Sequence, residues 1–93
     1  MSWEERVVKE LDELRERWKE VKRRLLSEAA GKAVDVEEFA EIVDMLFIEA
    51  ESELEAFEHA SACGDTVNAD IAAMRVNEAL NLLRAYVSRA AGA

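Results

Sequence analysis

No proline occurs in the 93 residues, and only two glycines, Gly31 and Gly64, lie well inside the chain. A chain with so few breakers has few places to turn, so these two points divide it into three long segments. Each segment is rich in residues that lose little side-chain freedom in a helix, and each repeats its apolar positions at helical spacing. The expected fold is all-α, an antiparallel up-down-up bundle with helices at about 3–29, 36–62 and 67–90, forming one domain over residues 1–93. Half of the chain (51%) is apolar, so a folded core is expected rather than a disordered acidic tail.

In the first segment Val7, Leu11, Leu14, Trp18, Val21 and Leu25 alternate spacings of four and three, forming an apolar seam. Ser2 caps this helix with Glu5 as the capping-box partner, and Gly31 ends it as a left-handed cap. Glu5–Lys9, Glu13–Arg17 and Glu20–Arg24 stand at i,i+4 in the favourable order. In the second segment Asp35 is placed to cap, with Glu38 three residues on. The inward stripe there is Val36, Phe39, Val43, Leu46, Phe47, Ala50, Leu54 and Phe57. Gly64-Asp65 makes the second turn, and Asp65 or Thr66 caps the last helix. That helix turns Ala72, Val76, Ala79, Leu80, Leu83, Tyr86 and Val87 inward.

Charge is divided unevenly between the segments. Between Ala33 and Met74 there is no Lys or Arg against twelve Asp and Glu, whereas residues 1–32 hold nine bases against eight acids. Most of the net charge of −9 therefore belongs to the middle of the chain. An acidic surface repels nucleic acid and anionic membranes and attracts basic partners. Glu37, Glu41, Asp44, Glu51, Glu55 and Glu58 spread over one side of the second helix. Arg15, Arg17, Lys22 and Arg24 flank the seam of the first helix and suit packing beside those acids. The mixed charges along that seam do not specify pairing with a copy of the same helix.

Six large apolar residues are left over. Ile42, Met45 and Ile48 fall off the main stripe of the second helix, and Ile71, Met74 and Leu82 fall off that of the third. Secondary apolar patches on neighbouring helices form one contact surface, and symmetric self-association is its simplest use. The expected function is a non-enzymatic protein–protein interaction module that acts as a homodimer through these six residues. One alternative is an acidic mimic of nucleic acid that blocks a basic nucleic-acid-binding protein. Another is an engineered helical scaffold, since the dense Glu, Arg and Lys of the first helix read like a designed or thermophile helix.

Chemistry-bearing patterns are sparse. Glu51, Glu55, His59 and Cys63 form an i,i+4 row, in which Glu55, His59 and Cys63 are the candidate metal ligands. With one His and one Cys in the whole chain, a tetrahedral site lacks strong ligands, so no metal and no cofactor is expected. There is no Glu-x-x-His pair for a di-metal bundle site, no glycine-rich phosphate loop, no nucleophile elbow and no His-Glu-x-x-His. An enzyme is therefore not expected. One cysteine fits a reducing compartment. Met1-Ser2-Trp3-Glu4-Glu5-Arg6 lacks a basic stretch leading into an apolar core, and no apolar run approaches ~20 residues, so a cytoplasmic protein without membrane or direct nucleic-acid contact is expected.

The stretch from Phe57 to Ala69, with its Gly64-Asp65-Thr66-Val67-Asn68-Ala69 turn, resembles that of a small archaeal three-helix family of unknown function. The resemblance covers about a quarter of the chain. It implies a helical bundle and carries no catalytic residues over to this sequence.

Overall fold

The computed structural model describes residues 1–28 and 34–92 and forms three helices: α1 (Trp3–Glu28), α2 (Val34–Ala62) and α3 (Thr66–Gly92). The expected cap at Gly31 lies outside the described residues. Trp3 meets Phe57 and Trp18 meets Asp44, so α1 runs antiparallel to α2. The α2–α3 hairpin brings Phe39 beside Tyr86 and Glu53 beside Arg75, which completes the up-down-up order.

The helix boundaries have local causes. The Ser2 hydroxyl accepts from the Glu5 amide at 3.1 Å and donates to the Glu5 carboxylate at 3.2 Å. The reciprocal arm of this cap is thus hydroxyl to carboxylate, while the Ser2 side chain fills the N-cap role. α2 ends in a Schellman turn: the Asp65 amide donates to the Ala60 carbonyl at 2.8 Å and the Gly64 amide to Ser61 at 3.2 Å. Gly64 has φ of +73°, a conformation that a side chain disfavours. Asp65 then opens α3, its carboxylate accepting from the Asn68 amide at 3.1 Å. Thr66 is the first helical residue instead of the cap. Asp35 differs from expectation as well. Because α2 already includes Val34, Asp35 sits inside the first turn, where its charge favours the helix dipole without capping.

The core follows the sequence pattern closely. Val43, Val76, Leu80, Leu83 and Val87 are fully enclosed, and Val7, Leu11, Leu14, Trp18 and Val21 of α1 are buried against them. Leu25, Val36, Phe39, Phe57 and Tyr86 are half-buried at the margins. Contact is most extensive between α2 and α3. Alanines at 50, 60, 69, 72 and 79 are buried in this hairpin, and small side chains let helix backbones approach closely. α1 lies along one side of the pair.

The result is a slab with extents of 50 × 25 × 15 Å and a radius of gyration of 15.1 Å. A compact domain of this length has a radius of about 12 Å. The solvent-accessible surface, 6163 Å², exceeds the roughly 5400 Å² usual for a monomer of this mass. A thin slab has two broad faces, and only one of them is covered by α1.

Candidate interaction surface

The covered side shows what a completed contact looks like in this protein. Asp44 accepts the Trp18 indole N–H at 2.9 Å and the Lys22 ammonium at 2.7 Å. Burial pushes the Asp44 carboxyl up, but the hydrogen bonds from Lys22 and Trp18, with the Lys22 charge, outweigh it and hold the group below its ordinary value. Arg15 pairs with Glu51 and stacks its guanidinium 5.4 Å from the centre of the Phe47 ring. Arg84 of α3 binds Glu10 of α1, and that hydrogen bond is the main reason the Glu10 carboxyl is held low. Arg24 reaches the last turn of α3, donating to the carbonyls of Ala90 and Ala91 at 3.1 and 3.2 Å. These carbonyls belong to the last turn, which leaves acceptors without intrahelical partners.

Of the six carboxylates expected to form an acidic face, Asp44 and Glu51 are therefore bound by bases of α1. Glu37, Glu41, Glu55 and Glu58 are exposed and, among the described residues, form no ion pair. Two of the four flanking bases, Arg15 and Lys22, meet α2 as expected. Arg24 serves α3, and Arg17 forms no ion pair among the described residues. The pairs along the surface of α1 differ from the i,i+4 expectation. Asp12–Arg15, Glu16–Lys19 and Glu20–Arg23 form at i,i+3, and Glu28 joins Arg24 at i,i+4. Glu5–Lys9, Glu13–Arg17 and Glu20–Arg24 do not form. Helix geometry allows both spacings, and Arg15 and Arg24 each hold a local carboxylate together with a partner on another helix.

The opposite side of the α2–α3 hairpin has no such cover. Ile42, Met45, Ile71, Met74 and Leu82 are exposed there, from 41% for Ile71 to 68% for Met45, while Ile48, also exposed, stands one heptad from Glu55 on the flank of α2. On α2 the three residues follow an i,i+3 ridge that crosses the outer side diagonally. Val67 was not among the sequence candidates, yet it is exposed to 68% and continues the α3 row through Ile71 and Met74. Its spacing of four from Ile71 was the available signal. Small or charged residues separate the ridges: Ala56 and Ala85, with Glu41, Glu49, Asp70, Glu78, Arg75 and Arg89. Arg75 crosses the groove to Glu53 at 3.7 Å.

Near the turn this groove opens to about 410 Å³ between Ala56, His59, Cys63, Asn68, Ile71 and Arg75. Cys63 Sγ lies 3.9 Å from His59 Nε2, and both residues are exposed. Among the described residues, no three His, Cys, Asp or Glu side chains gather where they would hold one metal ion. Glu55 thus does not complete a site with His59 and Cys63. Compared with known proteins, the chain matches no family model, no curated protein and no solved structure. Among the described residues, no helix is long and apolar enough to cross a membrane.

Proposed function

We propose that this chain is a non-enzymatic, cytoplasmic protein-interaction module that pairs with a second copy of itself through the bare face of the α2–α3 hairpin. The observation that carries this reading is the exposure of six large apolar side chains on the parts of α2 and α3 that α1 does not cover. Together they present on the order of 500 Å² of apolar surface, against about 800 Å² per partner in a standard interface. Exposed apolar patches of several hundred Å² often mark a contact surface. The acidic-mimic reading has weaker support, because Asp44 and Glu51 are engaged by α1.

Light scattering at low and high salt tests the proposal. The expected result is a dimer whose mass is unchanged by salt, since an apolar contact is not screened. Met45→Glu and Ile48→Glu should give monomers with unchanged helical circular dichroism. A wild-type monomer at every concentration would overturn the reading, and unfolding of both variants would assign these residues to the core.

A further inference from the structure

We draw no further inference here: the strongest candidate, the exposed His59–Cys63 pair in the groove beside the α2–α3 turn, is a lone cysteine with one imidazole 3.9 Å away, and among the described residues no third ligating side chain joins them to point to a ligand.

Discussion

Both sides of the α2–α3 hairpin carry large apolar residues, and only one side buries them. On one side α1 supplies five buried apolar residues together with the polar partners at the rim: Arg15 for Glu51, Lys22 and Trp18 for Asp44, Glu10 for Arg84. On the other, Ile42, Met45, Ile71, Met74 and Leu82 stand among charges, with Arg75 and Glu53 paired across the groove. One helix covers one face of a hairpin, so the comparison teaches what α1 contributes to the face it packs against. The rim charges matter as much as the apolar stripe, because a covering element has to satisfy the carboxylates beside the apolar surface as well as exclude water.

The sharpest way to break the comparison uses neighbouring leucines. Leu83 is fully buried and Leu82 is 43% exposed. Leu83→Ala should cost about 2–5 kcal/mol of stability in urea unfolding, as large-to-small changes in closed cores do. Leu82→Ala should leave stability within about 0.5 kcal/mol when measured at dilutions where the chain is monomeric. Comparable losses at both sites would mean that the outer face is packed within one copy. A smaller effect is expected at the α1 rim. Trp18→Phe keeps most of the ring and removes the indole donor to Asp44, so about 1 kcal/mol should be lost, with no change in solution mass.

The smallest effect concerns pH. Asp44 and Glu10 both have carboxyls held below their ordinary values in the folded protein. A lowered folded value means that the unfolded chain takes up protons first as pH falls. Their contribution is therefore fully present above the ordinary carboxylate range of about 4 and is lost as pH drops through the lower folded values. Both groups join α1 to the hairpin. Amide protection in α1, taken relative to the intrinsic exchange rate at each pH, should accordingly fall below about pH 4 before protection at the α2–α3 seam does. Simultaneous opening of all three helices would show that these contacts are not specific to α1.

Much of this was legible from residues alone, for identifiable reasons. Helical spacing selects a face, so Val43, Val76, Leu80, Leu83 and Val87 were marked for the interior by period, and Ile42 and Met74 for the exterior. Ser2 and Gly64 act within four residues of themselves, which keeps their roles readable. Asp35 was misjudged because several residues in that stretch suit a helix start, and α2 begins one residue before it. Surface ion pairs were the least legible. Arg24 has an acid at i−4 and another at i+4, and the decisive acceptors are carbonyls on a helix more than sixty residues away. Val67 was overlooked because it lies in the first turn of α3, where capping residues dominate the reading.

The bond from Arg24 to Ala90 and Ala91 has a kinetic consequence. The α2–α3 hairpin closes through a short turn, so it forms from neighbouring segments, whereas the arginine clip must bring residues 66 and 67 positions apart together. It therefore closes a much longer loop than the hairpin turn does. Fraying of the final turn of α3 is then felt at the far end of α1, which makes the stability of the chain's first helix depend on the order of its last few residues.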